Sequence, residues 1–168
     1  MKTTGMLIRR PKDGDFHAMA EIKVRGWQTA YHGIIDEGYL QNLSIDQICQ
    51  ALREKNDLYL VAEANGGIIG FCRYRLCEEP SGIRICYGAI SELYVQPKLK
   101  RLGIGGALFR YVLDDLKESG SEFVCLSCFS DNTPAISFYL NMNGEFIGKE
   151  IMKIGAKEYS VDCFKFVL

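Results

Sequence analysis

Hydrophobic positions along the chain fall into two periods. Met6 to Arg10, Leu58 to Ala64, Ile68 to Leu76, Arg84 to Val95 and Phe123 to Phe129 are short runs rich in β-branched and aromatic residues, which predict strands. Two closing strands follow, about 145–153 and 157–167, around a turn at Gly155. Asn65-Gly66-Gly67 between the second and third runs predicts a tight hairpin. The other segments read at helical spacing. Asp13-Gly14-Asp15 offers caps for a helix to about Tyr31, with Ala20, Val24, Trp27 and Tyr31 as its inward stripe. Gly33 and Gly38 break the chain around Asp36-Glu37. Ser44-Ile45-Asp46-Gln47 resembles a capping box and starts a helix through about Glu54. Residues 78–82 read as a loop.

A third helix runs from about Gly103 to Ser119, with Ile104, Ala107, Leu108, Tyr111, Val112 and Leu116 on one stripe and Gly120 as its stop. Thr133-Pro134 opens a last helix that ends near Gly144. The unit from Tyr94 to Phe129 is strand–helix–strand, so its two strands are expected to run parallel. The element order is mixed α/β, with no linker or repeat, and predicts one domain over residues 1–168.

The turn between the long strand and the third helix carries the most chemistry. It reads Lys98-Leu99-Lys100-Arg101-Leu102-Gly103-Ile104-Gly105-Gly106. Glycines there let backbone approach a ligand closely, and the first N–H groups of the helix have no internal partner. With the helix dipole and the charges of Lys98, Lys100 and Arg101, this predicts an anion site of the phosphate or pyrophosphate kind. A Walker loop is excluded because no Lys-Ser/Thr follows the glycines. The dinucleotide fingerprint lacks its third glycine, since Leu108 stands there.

Composition narrows the classes. The chain has 168 residues, 48% of them hydrophobic, and a formal net charge of −1. That length supports a sizeable core, and the charge gives no footprint for nucleic acid. No apolar stretch is long enough to span a bilayer, and the first residues lack an apolar signal core, so a cytoplasmic protein without a membrane partner is expected. The seven cysteines are an odd number, against a disulfide framework. Cys125-x-x-Cys128 has no second pair and lies on a strand, where positions three apart face opposite sides, so core packing is expected and no metal site.

Lys100-Arg101-Leu102-Gly103-Ile104-Gly105 resembles the acyl-CoA pyrophosphate loop of the GNAT superfamily of N-acetyltransferases, Gln/Arg-x-x-Gly-x-Gly/Ala. Asn132-Thr133-Pro134-Ala135-Ile136-Ser137-Phe138-Tyr139 looks like that family's Asn-x-x-Ala-x-x-Phe-Tyr. Met142-Asn143-Gly144-Glu145-Phe146 is similar to its helix ending, and Trp27-Gln28-Thr29-Ala30-Tyr31-His32-Gly33-Ile34 to the first helix and turn of bacterial members. Two departures stand out. Lys100 replaces the usual Gln/Arg, and Ala89 stands where many relatives carry a glutamate.

The resemblance implies a central mixed sheet of about seven strands flanked by about four helices, and acetyl transfer from acetyl-CoA to an amine. It implies cofactor contacts from Leu93, Tyr94 and Val95, from Lys100, Arg101, Leu102, Gly103, Ile104, Gly105 and Gly106, and from Asn132, Ala135 and Tyr139. Tyr139 falls at the general-acid position, where a phenol near its ordinary pKa of about 10 keeps its proton at neutral pH; the residue also reads as aromatic core beside Phe138. Asn132 reads equally as a helix cap or turn residue. Glu92 is the nearest carboxylate for a general base, and an ordinary solvated glutamate fits it too. If Leu93 and Val95 face the central helix, alternation turns Glu92 toward the cleft, unless a bulge upsets the parity.

An acceptor site is implied at the first helices and the last hairpin. Trp27, Tyr31, Asp36 and Glu37 are its candidates, as an aromatic and acidic rim for a cationic amine or as plain core and surface. His17 and His32 have no nucleophile or metal partner in sequence. The leading expectation is a small-molecule N-acetyltransferase. Its rivals are a protein or peptide acetyltransferase and a non-catalytic acyl-CoA sensor. Homodimers are frequent in the family.

Overall fold

The computed structural model describes residues 5–78 and 86–168. In chain order it contains β1 (Leu7–Arg9), α1 (Asp15–Ala30), α2 (Glu37–Gln41), α3 (Ile45–Glu54), β2 (Leu58–Ala64), β3 (Gly67–Glu78), β4 (Cys86–Val95), α4 (Ile104–Glu118), β5 (Phe123–Phe129), α5 (Thr133–Asn141), β6 (Glu145–Ile154) and β7 (Lys157–Val167). A single 3-10 turn, Pro97–Leu99, stands between β4 and α4. The strands form one sheet in the order β1-β2-β3-β4-β5-β7-β6. β4 and β5 are parallel and every other neighbouring pair is antiparallel.

Alternation along β2 divides the core between the two faces of this sheet. Leu60 and Ala62 pack on the α4 side with Leu108, Phe109, Val112, Leu116, Val124 and Phe164. Tyr59 and Val61 pack on the other side with Met19, Ala20 and Ile22 of α1 and Leu52 of α3. A third cluster joins Trp27 and Tyr31 to Ile35, Leu40, Phe129 and Val161, and so ties the end of α1 to the last hairpin. Each large side chain buried this way stabilises the fold by about 1.5–3 kcal/mol relative to exposure.

Local chemistry accounts for the boundaries. Asn65 (φ 52°) and Gly66 (φ 76°) both take the left-handed conformation that a two-residue type I′ hairpin requires. Ser44 Oγ accepts from the Gln47 N–H at 3.3 Å and starts α3 as the capping pattern predicts. The chain starts α4 on Gly103, whose φ of 82° suits glycine.

The structure departs from the sequence expectations in a few places. A fifth helix, α2, lies where glycines predict only a break; Asp36 caps it by accepting from the Tyr39 N–H at 3.0 Å, and Gly38 sits inside it. On α4 the buried stripe includes Phe109, and Tyr111 is half exposed. The loop expected over 78–82 begins one residue late, since Glu78 still belongs to β3. Its other residues, and the strand start expected at Arg84, lie outside the described residues.

Candidate active site

β4 and β5 stay in register for three pairs only, Tyr87↔Phe123, Gly88↔Val124 and Ala89↔Cys125. Beyond them the parallel strands diverge. The gap holds a cleft of about 260 Å³ that passes between the faces of the sheet. Its walls are Ile90 to Tyr94 of β4, Leu126 to Phe129 of β5, Trp27 of α1 and Tyr31 just after it, Arg73 of β3, and Asn132, Ala135 and Tyr139 at α5, with Met152 and Val161 from the last hairpin.

A bulge sets what β4 presents there. Arg73 pairs with Glu92 and the next β3 residue, Tyr74, pairs with Ile90, so Ser91 is an extra, unpaired residue. Ile90, Leu93 and Val95 pack on the α4 side. Glu92 and Tyr94 are thereby turned to the α1 side, as alternation with Leu93 and Val95 requires. Gln96 then anchors the end of the strand: its N–H donates to Ile69 O at 2.9 Å and its Nε2 to Ile68 O at 2.8 Å.

The glycine loop follows at once. Arg101 has φ 64°, an uncommon conformation for a residue with a side chain. The first bond into α4 runs from the Ala107 N–H to Gly103 O at 3.0 Å, so the N–H groups of Gly103, Ile104, Gly105 and Gly106 precede it without helical partners. Lys100, Arg101 and Leu102 are exposed beside them. Among the described residues, Lys98, Lys100 and Arg101 take part in no ion pair. Unpaired donors, a helix dipole and three free cations fit a phosphate group.

Tyr139 reaches the cleft from α5. Its ring packs against Phe138 (5.2 Å between centroids), Phe109 (5.9 Å) and Phe164 (5.9 Å). Its hydroxyl makes no hydrogen bond among the described residues, and burial pushes its pKa up, so the phenol stays protonated at neutral pH. Asn132 caps α5, with Oδ1 accepting from the Ala135 N–H at 3.4 Å, and also lines the cleft.

On the α1 side, Trp27 Nε1 donates to the Tyr94 hydroxyl at 2.6 Å. Burial raises the pKa of both Tyr31 and Tyr94. Glu92 is not a solvated glutamate. Its Oε1 accepts from Lys23 Nζ at 2.6 Å and Arg73 Nη2 at 3.0 Å, and its Oε2 is buried without a partner. Lys23 and Arg73 were absent from the sequence expectations. The available signal was a charged residue inside the apolar run Phe71-Cys72-Arg73-Tyr74, because a buried charge requires a partner.

The two acids expected on the rim sit elsewhere: neither Asp36 nor Glu37 lines the cleft. Asp36 caps α2 and takes Lys157 Nζ at 2.5 Å, which holds its carboxyl below the usual range. Glu37 pairs with His32 Nδ1 at 2.7 Å. Cys128 packs into the α4-side cluster, and Cys125, between the core residues Val124 and Leu126, points to the other face. Among the described residues no three metal-binding side chains cluster, and no helix is long and apolar enough to cross a membrane.

Residues 13–144 match the family model described as Acetyltransferase (GNAT) family. Over 81 residues the chain is 37% identical to a mycothiol acetyltransferase of Sanguibacter keddieii; the match covers 48% of this chain and 26% of that protein, so the chain spans only about a quarter of the relative's length. The fold is similar to that of a GCN5-related N-acetyltransferase from Rhodopseudomonas palustris, with a TM-score of 0.79 and 19% identity over 100% of this chain and 99% of that one. It is similar also to PaiA N-acetyltransferase from Thermoplasma acidophilum, solved in complex with coenzyme A, with a TM-score of 0.70 and 19% identity over 98% of this chain and 99% of that one.

Proposed function

This chain belongs to the GNAT acetyltransferase family, and we propose that it transfers acetyl from acetyl-CoA to the primary amine of a small molecule, by direct attack through a tetrahedral intermediate. The observation that carries this reading is the pairing of two features on one strand. β4 ends in a loop of unpaired N–H groups and cations, and flanks a gap where a protonated tyrosine has no internal partner.

Acetyl-CoA supplies the activated acetyl group as a thioester. The chain's part begins at the loop, where Gly103 to Gly106 offer N–H donors to the pyrophosphate and Lys100 and Arg101 neutralise charge. Leu93, Tyr94 and Val95 form the β4 edge along which the cofactor arm is held, with Asn132 and Ala135 opposite. Backbone donors along the β4 edge favour the oxyanion of the transition state. Tyr139 gives its hydroxyl proton to the sulfur as the carbon–sulfur bond breaks. Glu92 Oε2 accepts a hydrogen bond from the attacking amine and takes the proton that the new carbon–nitrogen bond releases. Trp27 and Tyr31 wall the acceptor side.

The test is thiol release from acetyl-CoA over a panel of amines, amino acids and peptides, run beside Tyr139→Phe. Turnover on an acceptor, lost in the variant, is expected. Tight CoA binding with no turnover on any acceptor would overturn catalysis and leave an acyl-CoA sensor.

A further inference from the structure

The α1 side of the cleft holds an unbroken chain of charges. Arg73 Nη1 donates to Asp57 Oδ2 at 2.6 Å, Arg73 Nη2 to Glu92 Oε1 at 3.0 Å, and Lys23 Nζ to the same oxygen at 2.6 Å. These side chains are mostly buried; that of Glu92 is only 6% exposed. Two carboxylates and two cations balance.

Among the described residues, two buried atoms of this charge network have no hydrogen-bond partner: the acceptor Glu92 Oε2 and the donor Arg73 Nε. They belong to two side chains joined by a 3.0 Å hydrogen bond, and both residues line the cleft. Buried polar atoms are nearly always paired, so each such exception needs a physical reason. An acceptor and a donor left over together in two side chains that line the cleft match a molecule that brings one of each.

The same charges argue against a polyamine. A polycation is favoured by unpaired carboxylates, and here Asp57 and Glu92 are neutralised within the chain. Asp36 is paired with Lys157, and neither Asp36 nor Glu37 lines the cleft. An anionic or neutral polar group suits the Arg73 side far better.

We infer that the acceptor is an amine with a carbonyl or carboxylate on the adjacent carbon, the chemistry of an α-amino group in an amino acid, its amide or a peptide end. Its N–H donates to Glu92 Oε2 and its oxygen accepts from Arg73 Nε. The inference rests on the acetyl-transfer reading and specifies its substrate class. Arg73 becomes the specificity-determining residue, and the nitrogen set on Glu92 Oε2 is the one that attacks.

The experiment measures kcat/KM by thiol release from acetyl-CoA with the full chain, using alanine, alaninamide, tri-alanine, isopropylamine and putrescine, each compared per unprotonated amine. Isopropylamine keeps the branched amine and lacks the carbonyl. A site built for a polar group rejects the analogue that lacks it, so at least one carbonyl-bearing acceptor is expected to exceed isopropylamine by about tenfold or more. Alanine ahead of tri-alanine assigns a free amino acid, and the reverse assigns a peptide end. Arg73→Lys keeps the charge but not the Nε donor, and is expected to narrow the preference to within about threefold. The wild-type panel decides by itself should that variant not fold. Isopropylamine or putrescine equal to the best carbonyl-bearing acceptor overturns this inference and leaves acetyl transfer standing. Absence of thiol release with every acceptor overturns acetyl transfer, and this inference with it.

Discussion

The indole of Trp27 donates its N–H to the hydroxyl oxygen of Tyr94 at 2.6 Å, joining the last turn of α1 to the end of β4. An indole only donates, so the Tyr94 oxygen is the acceptor and its own proton is directed elsewhere. Gly26 allows the contact, because a Cβ there would lie 3.2 Å from the Tyr94 ring. The acceptor-side wall is therefore fixed by a polar bond and a close approach, between residues that are 67 positions apart. Trp27→Phe leaves the Tyr94 hydroxyl without its donor, and a lost hydrogen bond in such a place costs about 1–3 kcal/mol. Stability by denaturant unfolding is expected to fall by that order, and the acceptor KM to rise. CoA affinity by calorimetry is expected to stay the same, since the loop residues Lys100 to Gly106 do not line the cleft that Trp27 walls.

Tyr139→Phe separates chemistry from packing. The Tyr139 hydroxyl has no internal partner, so its loss is expected to change stability by less than about 0.5 kcal/mol. Loss of a proton donor costs about 10²–10⁴-fold in rate, and kcat is expected to drop within that range at unchanged CoA affinity. Burial raises the folded pKa of this phenol. Its neutral form is thus favoured by folding, and the associated stability is full below the unfolded value near 10 and lost as pH climbs through the raised folded value. Above pH of about 10, wild type is expected to lose stability faster than Tyr139→Phe, read from melting temperature against pH.

Where the chain carried a local signal, the sequence reading and the structure agree. The hairpin at Asn65-Gly66, the cap at Ser44, the helix opened by Thr133-Pro134 and the parallel pair around the glycine loop are each set by residues within a few positions of one another. Beyond α2, whose Asp36 cap is local, what the sequence missed depends on distant partners. Arg73 and Lys23 are ordinary charges until the fold brings them to Glu92, 19 and 69 positions away. The bulge at Ser91 depends on pairing with β3. The sequence does not show that Lys157, 121 positions away, pairs with Asp36.

That correction yields its own test. Asp36→Asn together with Glu37→Gln removes two carboxylates that do not line the cleft. The relative kcat/KM values across an amine panel are expected to match wild type within about twofold, because charges at an exposed, paired site are largely screened. A selective loss on diamines would restore the rim.

Acid sensitivity is expected from the first strand. Arg9 donates to Asp15 at 2.6 Å and to Glu63 at 2.6 Å, in a partly buried cluster that ties β1 to α1 and β2. The hydrogen bond from Arg9 holds the Asp15 carboxyl below its ordinary value, against the opposing effect of burial. A depressed folded value means that the stability is present above the unfolded pKa near 3.9 and is lost as pH falls through the folded one. Asp15→Asn is expected to be less stable than wild type by about 1–2 kcal/mol at pH 7, with the gap closing below a pH of about 3.

Arg101 sets backbone strain against charge. With φ 64° it sits where a side chain costs about 1–2 kcal/mol and glycine costs little. Among the described residues its exposed guanidinium has no ion-pair partner, so no pairing offsets that strain. Phosphate binding supplies a reason for keeping it there. Arg101→Gly is therefore expected to raise unfolding stability by up to about 1 kcal/mol, less than the full strain because glycine also loosens the unfolded chain. CoA affinity is expected to move the other way, falling about three- to tenfold at low salt through loss of one charge near the pyrophosphate. Screening shortens the reach of that charge, so the difference from wild type is expected to shrink as salt rises toward about 1 M. Calorimetry across a salt series checks both halves. A variant that is more stable and binds CoA as well as wild type at low salt would show that Arg101 serves the turn and not the ligand.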